Sequence, residues 1–266
     1  MKYKSFLMIV VAVLLASCTD PVPGWKLVWT EDFNGPAIDT TVWTRVPTGL
    51  SDWDDMMSPR EDLAYIEDGE LVLLGKVGDP AAGDKTPFVT GGIWSAGKKS
   101  FAMARFEVKA KFNSANGFWP ALWLMPDRPL PEPEYAEIDI MEHTNWDGFV
   151  YQTVHSRYTL DNGEEEQPPH SGTGAVDPYE WNVYAAEVYQ DSICLYTNGL
   201  KTLTYERMEG TAHQFPWPDH PFYLILSNQL GGGWVGKVDV PAHLPSEMRV
   251  DWIKVYERDG RLPDDR

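Results

Sequence analysis

Between Tyr135 and His143 the chain reads Tyr-Ala-Glu-Ile-Asp-Ile-Met-Glu-His, placing the carboxylates of Glu137, Asp139 and Glu142 within six residues of an otherwise apolar run. Like charges so close together repel, and Ile138, Ile140 and Met141 want burial, so few folds can accept this segment. On a β-strand alternate residues share a face, which puts Glu137 and Asp139 together and Glu142 opposite. One β-bulge at Ile140-Met141 corrects the count, because a one-residue slip flips every later side chain. With that bulge all three acids line one groove. A solvated edge strand is the bland alternative, and it leaves the three apolar residues unexplained.

The order Glu-Asp-Glu also carries chemistry. With the bulge counted as one step the two Glu Cα atoms lie about 13 Å apart at roughly 3.3 Å per step. Long side chains leaning over a short central one can bring their carboxyl groups to about 5–5.5 Å, the spacing of a retaining glycosidase. Asp139 between them can push the two Glu pKa values apart, leaving one carboxylate as nucleophile and one carboxylic acid as proton donor.

The N-terminus carries an export pattern. Lys2 and Lys4 precede the apolar run Phe6 to Leu15, too short to span a bilayer and suited to a secretory signal. Leu15-Ala16-Ser17-Cys18 resembles a bacterial lipoprotein cleavage site, with Cys18 as the lipidated residue. We therefore expect a signal peptide at 1–17, a tether at 18–24, a single catalytic domain at 25–258 and a tail at 259–266. Lipid on Cys18 would leave Cys194 as the only thiol, so no internal disulfide is expected. The expected location is the cell envelope, with membrane contact only through that anchor. A net charge of −18 argues against nucleic acid as a partner, and mildly against a heavily sulfated substrate.

Along the chain the segments read as strands. Trp25–Trp29, Glu70–Leu74, Arg105–Phe112, Ala121–Met125, Phe149–His155, Trp181–Tyr189, Ser192–Thr197, Thr202–Arg207, Phe222–Asn228 and Met248–Glu257 alternate or are apolar, and Asn198-Gly199 is a hairpin signal. Arg105–Phe112, with charged residues at every second place, reads as a strand with one wet face. Many strands punctuated by Gly and Pro point to an all-β, two-sheet sandwich. Twelve Trp exceed what a β core usually takes up. Trp29, Trp43 and Trp252 read as core. Trp53, Trp146, Trp217 and Trp234 lie in polar, Pro or Gly settings and read as platforms for the apolar faces of sugar rings.

At this point the chain resembles glycoside hydrolase family 16, whose members carry a Glu-x-Asp-x-x-Glu strand on a concanavalin-like β-jelly roll. The resemblance runs from Trp25 to Tyr256: Leu27 to Gly35, Arg105 to Lys111, Gly117-Phe118-Trp119-Pro120-Ala121-Leu122-Trp123-Leu124-Met125-Pro126, the acid run, Gly231-Gly232-Gly233-Trp234 and Val250 to Tyr256. It implies Glu137 as nucleophile, Glu142 as acid/base and Asp139 as support. It implies a concave cleft floored by Trp119 and Trp123, with His155 on the neighbouring strand, and Gln229 beside Trp53, Trp146 and Trp234 as further substrate contacts. A satisfied core or edge role is the alternative for His155, and His143 can point either way. No cofactor is needed for catalysis. Many members hold a structural calcium ion, for which Gly69 and Asp251 stand at matching positions.

The motif fixes the reaction class and leaves the sugar open. The substrate expected is a polysaccharide or glycoprotein glycan, and a monomeric protein is expected. Tyr151 to Ser156 and Asn228 to Gly236 look closer to gut Bacteroidetes enzymes that cut β-galactosidic bonds in poly-N-acetyllactosamine, keratan and mucin O-glycans. Laminarinase-like cleavage of β-1,3- or mixed-linkage glucan is the next reading, then porphyranase or agarase. A surface lipoprotein that binds glycans without cutting them is the non-enzyme alternative.

Overall fold

A computed structural model describes residues 22–162, 167–218 and 220–259. The signal segment, Cys18 and most of the tether lie outside the described residues, as does the tail beyond Asp259. No described helix is long and apolar enough to cross a membrane. The strands are β1 (Trp25–Glu31), β2 (Thr44–Arg45), β3 (Ala64–Glu67), β4 (Glu70–Val77), β5 (Phe88–Thr90), β6 (Gly92–Trp94), β7 (Ala104–Phe112) and β8 (Phe118–Pro126). They continue with β9 (Ala136–Glu142), β10 (Phe149–Ser156), β11 (Ser171–Ala175), β12 (Asn182–Val188), β13 (Ser192–Thr197), β14 (Leu200–Glu206), β15 (Phe222–Leu230) and β16 (Ser246–Arg258). A short helix, α1, spans Arg157–Asn162.

The strands form two antiparallel sheets, the sandwich expected. One runs β14-β13-β12-β7-β16-β4-β3, with β1 added on β16 and β5 on β4; the other runs β11-β10-β9-β8-β15-β6-β2. One apolar layer lies between them. Ala104, Phe106, Val108, Ala110 and Phe112 of β7 meet Ile138, Ile140 and Met141 of β9 and Leu122 and Leu124 of β8 there. Period-two alternation thus fixes which face of each strand is core. Asn198 and Gly199 both have positive φ (50° and 78°), the geometry of the two-residue turn that joins β13 to β14. The strands β2, β3, β5, β6 and β11 are not foreseen; β11 (Ser171–Ala175) has no apolar pattern and is defined by pairing with β10. Its Gly172 packs so closely on the other sheet that a Cβ there would lie 2.7 Å from the Thr202 carbonyl oxygen.

Three expectations need correction. The outer face of β7 is not wet, since Arg105 and Glu107 are each 9% exposed. Glu107 Oε1 accepts from Arg105 Nε at 3.0 Å and Nη2 at 2.5 Å, and Glu187 Oε1 accepts from Nη1 at 2.5 Å. The remaining carboxylate oxygens accept from the hydroxyls of Tyr256, Tyr189 and Tyr196. Charges can leave water here because each of the four carboxylate oxygens has a donor. Trp217, read as a platform, is fully buried, packed against Tyr205 and Phe215. Trp29 and Trp252, read as core, are half-buried, and the Lys254 ammonium lies 4.3 Å from the centre of the Trp252 ring.

Removing one member of the Arg105 network strands the others without partners. Glu187→Ala should destabilise the fold by about 3–5 kcal/mol. Replacing Arg105, Glu107 and Glu187 together by Met or Leu should lie much closer to wild type. Urea unfolding of the two variants checks the difference; equal losses would show that the network acts only by packing.

Candidate active site

The acid strand β9 is bulged where the sequence requires it. Against β10, Glu142 pairs with Tyr151 and Asp139 with Thr153, so three residues on β9 span two on its neighbour. Against β8, Met141 pairs with Leu122 and Asp139 with Trp123, with the same one-residue excess. Ile140 and Met141 in succession both enter the core, and Glu142 returns to the face of Glu137 and Asp139. The three acids line a cavity of about 300 Å³ with Ser51, Trp53, Trp119, Ala121, Trp123, Met125, Tyr135, Tyr223, Ile225, Ser227 and Gln229. No Lys or Arg is among these lining residues. A larger and more open depression of about 700 Å³, around Arg207 to His213, contains none of the three acids.

Each acid has its own partner. Glu137 Oε2 accepts from the Tyr135 hydroxyl at 2.5 Å. Glu142 Oε1 accepts from the Trp119 indole N–H at 2.9 Å. Asp139 Oδ2 lies 3.3 Å from His155 Nε2, and His155 is the cross-strand neighbour of Glu137. Burial, then the charge of Asp139, pushes Glu137 up to about 7, while His155 and the Tyr135 hydroxyl pull the other way. Burial and then Asp139 hold Glu142 well above the usual carboxylate range, opposed by the Trp119 hydrogen bond. Burial alone would lower His155, yet its bond to Asp139 and the nearby carboxylates raise it to about 9. His155 is therefore a cation at neutral pH. It offsets part of the repulsion among the acids.

Most of the predicted contacts converge on the cavity. Trp119 and Trp123 share the cleft face as their four-residue spacing requires, but Trp123 is only 7% exposed. Trp53 covers it, with ring centres 4.8 Å apart at 83°. Trp234 stands edge-on to both Trp119 (5.5 Å) and Tyr151 (5.0 Å), and like His155 it is not among the cavity-lining residues. Gln229 lines the cavity but is 1% exposed, and its amide donates to Asp55 at 2.6 Å, so it anchors a loop. Trp146 is half-exposed against His243 and is not among the cavity-lining residues. His143, the residue after β9, faces inward; it packs on Phe112, and its Nε2 lies 2.7 Å from the Asp147 carbonyl oxygen. Burial lowers its pKa, which suits a neutral core imidazole.

Residues not foreseen complete the site. Tyr135 could have been found, since it stands two residues before Glu137 and the strand period places both on one face. Tyr223 and the neighbours of Trp53, namely Ser51, Asp52 and Asp55, could not, because they arrive from distant parts of the chain. Asp52 accepts from the Gly233 N–H at 2.7 Å, tying that segment to the glycine-rich turn.

The calcium expectation fares less well. Gly69 occupies the β3–β4 turn with φ 78°, while the Asp251 carboxylate lies 2.7 Å from the Lys109 ammonium. A carboxylate already facing an ammonium is a poor cation ligand, so this pair does not fit the ion. Among the described residues the one trio of acids and histidines with metal-ligand spacing is Glu137, Asp139 and His155, within 4.8 Å of one another. That trio is the acid cluster itself.

Comparison with known proteins agrees with this arrangement. The sequence profile of glycosyl hydrolases family 16 matches residues 70–254. A keratan-sulfate endo-1,4-beta-galactosidase of Sphingobacterium multivorum is 34% identical over 92% of this chain, which spans 58% of that relative's length. A beta-glucanase of Rhodothermus marinus is 28% identical over 96% of this chain and 94% of its own. Among solved structures, one from work on endo-acting O-glycanases that initiate mucin breakdown in the human gut microbiota has a TM-score of 0.76 at 27% identity, covering 88% of this chain and all of that one. The Rhodothermus marinus laminarinase structure shares the fold, with a TM-score of 0.75 at 24% identity over 90% of this chain and 99% of its own. A bulged strand that turns three acids into one cleft, on a two-sheet sandwich matched by the family's profile over most of its length, makes this chain a member of the glycosyl hydrolases of family 16.

Proposed function

We propose that the chain is a retaining, endo-acting glycoside hydrolase in which Glu137 attacks the anomeric carbon and Glu142 handles the proton. The observation that carries this reading is the inequality of the two buried glutamates. Glu137 accepts from the Tyr135 hydroxyl and faces His155 across the strand pair, whereas Glu142 accepts from one indole N–H, and burial raises both. The hydroxyl and the histidine favour the charged form of Glu137, the nucleophile that double displacement needs opposite a protonated acid. Glu142 then protonates the leaving oxygen as the glycosyl ester forms on Glu137, and afterwards takes a proton from the water that hydrolyses it. Asp139, held by His155, disfavours the charged form of both glutamates.

For the substrate we favour β-galactosidic bonds in poly-N-acetyllactosamine, keratan or mucin O-glycans. The 34% identity to the keratan-sulfate enzyme supports this, as does the likeness to the O-glycanase structure. A cavity without Lys or Arg suits a neutral sugar at the reacting position. The second reading, β-1,3- or mixed-linkage glucan, draws on the beta-glucanase relative, nearly all of whose length is matched. The reading also includes display on the cell envelope through lipid on Cys18. Mass spectrometry of the N-terminal peptide from native cells tests it, and an unmodified Cys18 would end it.

Purified protein incubated with laminarin, mixed-linkage glucan, porphyran, keratan and mucin should release oligosaccharides from keratan or mucin, identified by mass spectrometry. Release from the glucans alone would overturn the galactosidic reading. Glu137→Gln should abolish cleavage of every polymer that the wild type cuts.

The same substitution should change stability with a defined sign. Glu137 binds its proton more tightly folded than unfolded, so its contribution is fully present below about pH 4.5 and is lost as the pH rises through about 7. Glu137→Gln should therefore gain in melting temperature relative to wild type at pH 8, and the gain should shrink at pH 5. Calorimetry at the two pH values checks it; a constant difference would mean that Glu137 is not strained by its charge.

A further inference from the structure

Tyr135 stands just ahead of β9, and its ring lines the cavity beside Tyr223. Its hydroxyl donates to one oxygen of Glu137, Oε2, at 2.5 Å. The other titratable groups facing Glu137 are Asp139 and Glu142 on its own strand, His155 from β10 and Tyr223 from β15. Among these, Tyr135 supplies the direct hydrogen bond to the carboxylate. Burial and the adjacent carboxylates hold its phenol far above the ordinary tyrosine range, so it remains a donor at any pH an assay would use.

We propose that Tyr135 is a positioning residue for the glycosidase reaction: it fixes Oε2 of Glu137, presents Oε1 to the anomeric carbon, and stabilises the carboxylate when it departs from the glycosyl ester. This rests on Glu137 being the nucleophile. In the first step the Glu137 Oε1–carbon bond forms, the glycosidic C–O bond breaks, and the Glu142 proton passes to the leaving oxygen. In the second, water attacks the same carbon, its proton passes to Glu142, and the electron pair of the ester C–O bond returns to Glu137. Negative charge reappears on Glu137 in that second step. A hydroxyl already aimed at Oε2 meets it without reorganisation, so the second step should gain most from Tyr135.

The role has a direction opposite to that of burial. Desolvation and Asp139 push the Glu137 proton on, and the Tyr135 hydroxyl helps to take it off. A tyrosine that served only to line the cavity would alter substrate affinity and leave the titration of Glu137 alone.

Tyr135→Phe keeps the ring and removes the donor. Its kcat/KM against pH should be measured on keratan, or on laminarin if that is the polymer cleaved, beside wild type and Glu137→Gln. We expect the acid limb to move up by about one pH unit and kcat to fall roughly 10- to 100-fold, the loss of one hydrogen bond to a charged group. Acid-quenched samples of the variant should show a glycosyl adduct on Glu137 by mass spectrometry, because breakdown of the ester is slowed. An unmoved acid limb with only a raised KM would overturn the proposal and make Tyr135 a sugar contact. If Glu137→Gln stays active, the nucleophile assignment itself fails, a result separate from the tyrosine's. Titration of ¹³C-labelled glutamate carboxyls in wild type and variant reads the Glu137 shift directly, and a melting curve verifies that the variant is folded; an unchanged Glu137 titration in a folded variant also overturns the proposal.

Discussion

One extra residue in β9 holds the architecture and the chemistry together. Without the bulge, Glu142 would enter the apolar layer between the sheets, and one of Ile140 and Met141 would face the cleft. With it, the strand gives two successive apolar side chains to the core and three acids to the opposite surface. The register of β8 and β10 then follows, because both neighbours must absorb the same irregularity. The core interlock with β7 depends on that register.

Three carboxylates on one face would be untenable if all were charged. Asp139 is answered by the His155 cation, and burial keeps the glutamates protonated beyond the usual range. The cluster therefore holds less charge at neutral pH than its composition implies. Partners differ in kind: a hydroxyl on Glu137, an indole on Glu142 and an imidazolium on Asp139. Chemically similar side chains become unequal through what donates to them.

The acid run, the bulge and the order of strands were legible because they are periodic, and periodicity is a local property. Ser192–Thr197 was read to the residue, and the Asn-Gly turn with it. Local reading failed where distant segments decide the environment. Arg105 and Glu107 look solvated until Glu187 from β12 and Tyr256 from β16 close over them. Trp217 lies between prolines like a loop residue, yet Tyr205 and Phe215 enclose it. Gln229 was identified beside the cleft, but its partner Asp55 lies 174 residues away, so its task as an anchor had no sequence signal. The strand Ser171–Ala175 fails for the same reason, being defined by what it pairs with.

The tie between Asp52 and Gly233 joins positions 181 residues apart, and the one between Gln229 and Asp55 is nearly as long. The lid of Trp53 over Trp123 is thus closed from both ends of the chain. Ties of such separation must overcome the closure entropy of the chain between them. On a growing chain β8, β9 and β10 precede Tyr223, Ile225, Ser227 and Gln229 of β15, which complete the cavity wall. The three acids therefore leave the ribosome before the residues that wall them in.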